Sequence, residues 1–334
     1  MIVLGIESSC DETAAAVVKN GTRILASVVA SQVDVHRPYG GVVPELASRQ
    51  HIEAIVPVVD QALAEAGLKA ARIDAVAATQ GPGLVGALLV GFSFAKAYAY
   101  GLGKPWVGVN HLIGHIHSLF LTSDPPLFPF VALLVSGGHT SLYYVTSYLE
   151  AELMGQTRDD AAGEAFDKVS KRLGLGYPGG EIIGRIARKG TPGKMAFPRS
   201  YLDPHGFDFS FSGLKSAVRR YVDEHPHGLE KEMPDIAAEF QEAVVDVLTD
   251  KLVAGAGFKN CRRIALVGGV AANQRLREQL TLKAAPAGLT VTIPPVGLCG
   301  DNAAMIAAAG YHSLRAGKSG NLADDVYSRK DLRS

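Results

Sequence analysis

Apolar and polar positions along the N-terminal quarter of the chain follow two periods in turn. MIVLGIESSCDETAAAVVKNG predicts an apolar strand, a polar turn and a second strand closed by Asn20-Gly21, the dipeptide that favours a tight hairpin. RILASVVAS then predicts a third strand. From about Glu45 to Gly67 the apolar residues fall at helical spacing, with Ile52, Ile55, Val56, Val59 and Leu63 on one face. RIDAVAATQ returns as a buried strand, a glycine loop follows, a helix is predicted from about Leu84 to Tyr100, and PWVGVN is a further strand. At Phe128 the opening pattern recurs: FPFVALLVSGGHTSLYYVTSY is again strand, short glycine turn, strand, followed by helical material. RRIALVGGVAANQRLREQL runs from a strand through Gly268-Gly269 into a helix, and the segment after CGDNAAMIAAAGYHSLRAG begins is a long alanine-rich helix. The recurrence predicts an internal duplication of a hairpin-led unit, and the alternation of strands with helices predicts an α/β fold with both sheet faces covered.

Size and charge narrow this picture. At 334 residues the chain exceeds the usual extent of one hydrophobic core, so two lobes are expected. Lys+Arg 33 balances Asp+Glu 33, so no overall field draws the molecule to nucleic acid or membrane, and a polyanion would have to be held by local patches or partners. Candidate patches are Arg188, Lys189, Lys194 and Arg199, and separately Arg219 with Arg220. The three cysteines, Cys10, Cys261 and Cys299, form no CxxC and fit a reducing compartment. The start lacks a basic signal-like region and no segment is expected to span a membrane, which together predict a cytoplasmic protein.

The segment GVNHLIGHIHS places His111 and His115 four residues apart, about 40° apart around a helix, so both imidazoles share a face while His117 lies outside the pair. Packing and a divalent-metal clamp both remain open for such a pair. HExxH chemistry is disfavoured because Leu112 stands where the general base would be. GPGLVG, Gly81 to Gly86, matches a dinucleotide fingerprint in spacing, but no Asp or Glu occurs between Gly81 and Ser123 to hold a ribose, so close packing at a strand-to-helix turn is the better reading. Ser136-Gly137-Gly138, Tyr177-Pro178-Gly179-Gly180 and Gly268-Gly269 with Asn273 each bring bare amides to an edge; together they suggest a nucleotide clasp. Asp160, Glu164 and Asp167 form an acidic helical stripe whose first two members fit a salt-bridged face, with Asp167 near enough to the 176 to 180 loop to share a site. Asp301 heads a helix, is an N-cap by default, and as a hard anion could also complete the histidine pair.

GIESSCDET, YGGVVPELASRQH, GPGLVGALLVG, NHLIGHIHS, LLVSGGHTSL, DDAAGEAFDKVSK, FSFSGLK, GGVAAN and DNAAMIA occur in order over nearly the whole chain, and with them the sequence resembles the bacterial tRNA N6-adenosine threonylcarbamoyltransferases, the TsaD family formerly labelled O-sialoglycoprotein endopeptidase. The resemblance implies an actin-like/Hsp70/sugar-kinase fold of two duplicated βββαβα lobes with a central cleft. The lobes are expected at residues 1–108, completed by about 300–334, and at 109–299, the second carrying the metal and nucleotide elements. It implies metal ligands at His111, His115 and Asp301, for one Fe2+ or else Zn2+, and substrate contacts at Leu134, Val135, Ser136, Gly137, Gly138, Asp167, Gly180 and Asn273. Gly300 stands where the bacterial pattern has threonine. The implied reaction transfers the threonylcarbamoyl group of threonylcarbamoyl-AMP to N6 of adenosine 37 in tRNAs reading ANN codons, with the anticodon loop as the docking region. Asp11 and Glu12 are the candidate catalytic residues for the proton, and a TsaB-like inactive paralogue and a TsaE-like small ATPase are the expected partners. A small-molecule or sugar kinase of the same fold, and a non-catalytic scaffold, are the alternatives; neither needs the histidine pair.

Overall fold

The computed structural model describes residues 1–203 and 206–329, which group into two compact units: Met1–Pro126 with Ser147–Glu150 and Asp301 onward, and Leu127–Thr146 with Ala151–Gly300. In the first, β1 (Ile2–Glu7), β2 (Glu12–Lys19), β3 (Arg23–Ser31), β4 (Ala75–Gly81) and β5 (Trp106–Asn110) form one sheet in the order β3-β2-β1-β4-β5. β1 to β3 pair antiparallel, while β4 and β5 add parallel to β1. Asn20 (φ 55°) and Gly21 (φ 72°) make the left-handed turn that the Asn-Gly pair predicts between β2 and β3. In the second unit, β6 (Phe130–Val135), β7 (Thr140–Ser147), β8 (Glu150–Gln156), β9 (Arg263–Val267) and β10 (Thr290–Thr292) run β10-β9-β6-β7-β8, again an antiparallel hairpin beside parallel strands. The two sheets repeat one topology, which is what the recurring hydrophobic pattern requires.

Every residue of β6 is buried, as expected for a central strand covered on both faces. The largest covering element is the Leu229–Phe258 helix, 30 residues long, which the sequence announced only as helical material. It packs against β6, β9 and the helices Gly179–Ala187 and Gln274–Ala284.

Two expectations need correcting. The boundary between units falls after Pro126, not at 108, and the histidine segment belongs to the first unit: its His111–His117 helix packs on the Ala303–Arg315 helix, where a Cβ on Gly114 would lie 2.7 Å from Ile306. The Val85–Leu102 helix does reach the length and apolar character of a membrane span. Its Ala87, Leu88, Phe92, Ala95 and Ala99 are buried on β4 and β1, with Phe92 edge-on to Trp106 at 5.2 Å, so this face has a protein partner.

The glycines of GPGLVG serve close approach. A Cβ on Gly83 would stand 2.6 Å from the Ser9 carbonyl, one on Gly86 2.4 Å from Ser48 Oγ, and one on Gly91 2.3 Å from Ser8 Oγ. The Ser8-Ser9 turn is thereby bolted to this helix, with Ser8 Oγ donating to Ala87 O at 2.9 Å and Leu84 N donating to Ser9 O at 2.8 Å. β1 meets the Ala303–Arg315 helix just as closely, since a Cβ on Gly5 would sit 2.1 Å from Ala303 O. Gly5→Ala must push two backbones apart. It is expected to destabilise the protein by about 2 kcal/mol or more, read as a fall in thermal midpoint with loss of metal retention.

Candidate functional site

Asn110 ends β5 and caps the next helix, its Oδ1 accepting from Leu112 N (2.9 Å) and Ile113 N (3.2 Å). One turn of helix then brings His111 and His115 together, with ring centroids 4.7 Å apart and planes at 80°. Asp301 joins them from the far end of the chain: its Oδ1 lies 3.1 Å from His115 Nε2 and 3.5 Å from His111 Nε2. Asp301 is not the helix cap. Asn302 takes that role, accepting from Met305 N at 3.0 Å, which leaves the Asp301 carboxylate for the histidines. His117 lies outside the pair, as its helical phase dictates, packed against Phe120, Tyr148 and His312.

The donor set fits a divalent cation. One ligand atom from each of His111, His115 and Asp301 lies within 4.8 Å of the others. Both nitrogens of the buried His115 lack a hydrogen-bond partner in spite of the short approach to Asp301, so the contact has the distance of an ion pair without the geometry of a hydrogen bond. Two imidazoles and a carboxylate suit zinc or iron.

Glu7, which the sequence analysis did not single out, completes this centre. It is fully buried at the end of β1, and three donors converge on it: Ser9 N at 2.5 Å on Oε1, Thr79 Oγ1 at 2.6 Å and His111 Nδ1 at 3.0 Å on Oε2. The carboxylate holds the proton of His111 on Nδ1 and turns Nε2 toward Asp301, the outer-shell arrangement that orients a metal-bound imidazole. Only its place at the last inward position of a buried strand could have marked it in the sequence. Burial opposes a charge on His111, yet Asp301 and Glu7 outweigh it and push its pKa up to about 9. Burial likewise raises Glu7, but the His111 charge and hydrogen bond leave it below its ordinary value.

Asp11 closes the β1–β2 turn of the same unit and Glu12 opens β2. Burial, then Asp301 and Asp11, drive Glu12 up to about 10, so in the metal-free protein it carries a proton at neutral pH, within a hydrogen bond to Asp11.

The second unit holds a cavity of about 850 Å³. Of the eight expected substrate-binding positions, Gly137, Asp167, Gly180 and Asn273 line it. Leu134 and Val135 are interior residues of β6, Ser136 closes the β6–β7 turn by accepting from His139 N, and Gly138 is exposed at that turn. Asp167 Oδ1 accepts from Gly179 N at 2.7 Å, so Gly179-Gly180 begin a helix at this carboxylate where the sequence suggested only a turn. Asn273 Oδ1 caps the following helix through Leu276 N, and its Nδ2 donates to Gln241 Oε1 at 2.9 Å. Asp160 and Glu164 are tied to Lys168, as a salt-bridged face predicts. The basic patches are reduced: Lys194 pairs with Asp235, Arg199 with Glu239 and Asp246, and Arg219 with Asp223, while Arg188 lies at the cavity wall.

With this geometry in hand, comparison with known proteins is decisive. The sequence profile of TsaD, tRNA N6-adenosine threonylcarbamoyltransferase, matches residues 23–308. The chain is 60% identical over 329 residues to the tRNA N6-adenosine threonylcarbamoyltransferase of Desulforapulum autotrophicum, covering 98% of this chain and 99% of that one. The chain belongs to the TsaD family. The protein of the same description from Symbiobacterium thermophilum is 56% identical, over 95% and 92% of the two chains. Membership makes this TsaD chain a transferase that acts on tRNA, and implies a divalent metal for the His111, His115 and Asp301 set. The solved ROK hexokinase of Thermus thermophilus superimposes with a TM-score of 0.53 at 17% identity, over 95% of this chain and all of that one, which identifies the fold as that of actin, Hsp70 and the sugar kinases.

At Gly300, where TsaD relatives were expected to carry threonine, an added Cβ meets open space. Gly300→Thr is therefore expected to leave stability within about 0.5 kcal/mol of wild type by thermal melting. Two further outcomes follow from the metal centre. Metal must displace the proton that Asp301 and Glu7 hold on His111 up to a pKa of about 9, so Zn2+ affinity of the metal-free chain, titrated at fixed pH, should rise by about tenfold per pH unit from 7 and level off above 9. Glu7→Gln leaves a donor facing Ser9 N or His111 Nδ1, and should weaken Zn2+ binding about 10- to 100-fold while the far-ultraviolet circular dichroism is retained.

Proposed function

We propose that the chain transfers the threonylcarbamoyl group from threonylcarbamoyl-AMP to N6 of adenosine 37 in tRNAs reading ANN codons, releasing AMP. The observation that carries this reading is the convergence of His111, His115 and Asp301 on one point, oriented from behind by Glu7. These three residues would hold one Fe2+, with Zn2+ as the alternative. When bound, the ion supplies fixed positive charge for the oxygens at the threonyl end of the substrate. In the second unit the amides of Gly137 and Gly180 offer donors for phosphate and ribose oxygens, while Asp167 and Asn273 offer acceptor and donor groups to the nucleoside. The remaining positions of the clasp, Leu134, Val135, Ser136 and Gly138, act through backbone placement.

In the reaction N6 attacks the carbamoyl carbon, the bond from that carbon to the AMP phosphate oxygen breaks, and N6 loses a proton. The exocyclic amine is a weak nucleophile, so alignment of the two reactants carries much of the rate. A carboxyl oxygen of the hydrogen-bonded Asp11 and Glu12 pair is the assigned proton acceptor. Burial and then the Asp301 charge keep Glu12 protonated, and a cation on Asp301 would offset the second of these.

A TsaB-like paralogue and a TsaE-like ATPase are the proposed partners, in the cytoplasm. The exposed apolar residues Ile52 and Val56 on the Pro44–Glu65 helix and Val85 and Leu89 on the packed Val85–Leu102 helix offer a face for the first of them. tRNA would dock through its anticodon loop.

The test is nucleoside mass spectrometry of bulk tRNA after depletion in the host. N6-threonylcarbamoyladenosine should disappear, and return with the wild-type chain but not with His111→Ala/His115→Ala. Full persistence without a second copy would overturn the reading in favour of a kinase or a scaffold. Separately, Asp167→Ala and Asn273→Ala should each weaken AMP binding by about 10- to 100-fold in calorimetry, since each removes a hydrogen-bonding group from the cavity wall.

A further inference from the structure

Four polar side chains that take no part in the metal centre are buried together under the β1–β2 turn: Thr13, Gln32, His36 and His51, none more than 5% exposed. His51 Nε2 lies 3.0 Å from the Cys10 carbonyl, which can only accept, so the ring proton is on Nε2. Burial holds the imidazole below its ordinary pKa, so Nδ1 is a bare acceptor, taken by the Thr13 hydroxyl at 2.7 Å and approached by Gln32 Nε2 at 3.5 Å. Gln32 Oε1 accepts from His36 Nε2 at 3.2 Å, and His36 Nδ1 accepts from Val43 N at 3.3 Å. One line of bonds therefore runs in a single direction, from the Val43 amide through His36, Gln32 and His51 to the carbonyl of Cys10, with the Thr13 hydroxyl joining it at His51 and Gln32 Nε2 also donating to Ala47 O at 3.4 Å. Such a polarised chain reinforces itself, while apolar side chains of similar volume would fill the space without the desolvation of these polar atoms.

What this chain holds is a turn. Cys10 and Thr13, both bonded to His51, flank Asp11 and Glu12 on either side, and Gln32 N donates to the Asp11 carbonyl at 3.0 Å. At its other end His36 anchors the segment from Arg37 to Val43, which carries the exposed Tyr39 and turns at Gly40 (φ 68°). The motif YGGVVPELASRQH thus begins on this segment at Tyr39 and ends on His51 itself.

We infer that His51 is a positioning residue that sets the Asp11 and Glu12 turn for catalysis, and that Gln32 and His36 tie that setting to the exposed 37–43 segment. The inference rests on the assignment of Asp11 and Glu12 as the proton-handling pair. Its consequence is that substitution of His51 changes the rate of the chemical step and leaves substrate affinity alone.

The experiment is steady-state kinetics on the full chain, loaded with metal and assembled with its partner proteins, using tRNA and threonylcarbamoyl-AMP. His51→Leu is expected to lower kcat about 100-fold, the effect of misplacing a reacting group by about 1 Å, with both KM values within about twofold of wild type and metal content unchanged. His51→Gln, whose amide can still donate to the Cys10 carbonyl, should recover most of kcat, and Thr13→Val, which removes only the second bond, should fall between them. If His51→Leu does not fold, the comparison of His51→Gln and Thr13→Val with wild type decides. Wild-type kcat in these variants, or losses that appear in KM and metal content together, overturns the inference. Asp11→Asn and Glu12→Gln separate the two levels: if both keep wild-type kcat, the catalytic assignment itself fails; if they are inactive while the His51 variants are unaffected, only the positioning role fails.

Discussion

The metal centre depends on how closely the Ala303–Arg315 helix lies on β1. At Gly5 the helix backbone occupies the volume of the missing side chain, and the same helix turns the small Ala303 and Ala307 toward β1 while its larger Met305 and Ile306 lie against Gly114. That close approach brings Asp301, at the head of the helix, within 3.1 Å of His115 on another element. Small residues here are a geometric requirement: a methyl group on Gly5 would separate elements whose contact assembles the ligands.

Charge then decides how the assembled groups behave. Glu7, Asp11, Glu12 and Asp301 belong to one unit with His111, and their charges raise the proton affinity of both His111 and Glu12. His111, between two carboxylates, holds a proton to about pH 9, and Glu12, facing carboxylates from a buried position, holds one to about pH 10. Both protons occupy places that a divalent cation would take over electrostatically, so an acidic centre of this composition is built for a positive ion. Glu7 supplies the direction: with Ser9 N and Thr79 Oγ1 donating to it and fixing it in place, it also accepts from His111 Nδ1.

The two units use one topology for different chemistry. In the first, the turn after the central strand is Ser8 to Asp11, packed with hydroxyl and carboxyl groups and pinned to the glycines of GPGLVG. In the second, the equivalent turn is Ser136-Gly137-Gly138, closed by Ser136 N donating to His139 O, with Gly137 beside a cavity. A duplicated hairpin thus carries acidic side chains in one copy and glycines in the other.

The strands, the Asn20-Gly21 hairpin, the internal repeat and the pairing of His111 with His115 were determined by the sequence alone, because each depends on local periodicity or on the conformational preferences of adjacent residues. The bland reading of GPGLVG was also legible, from the missing acid. What neighbouring residues in the chain could not decide was which polar groups remain free. Asp301 had the sequence of a helix cap, but Asn302 took the cap; Lys194 and Arg199 had the sequence of a basic patch, but Asp235, Glu239 and Asp246 took their charges. Glu7 had no sequence signal beyond strand alternation, and its role exists only because Thr79 and His111 reach it from other strands and helices. Such assignments belong to the tertiary structure, since a buried polar group is satisfied by whichever partner the packing brings within about 3 Å, however far away it lies in the chain.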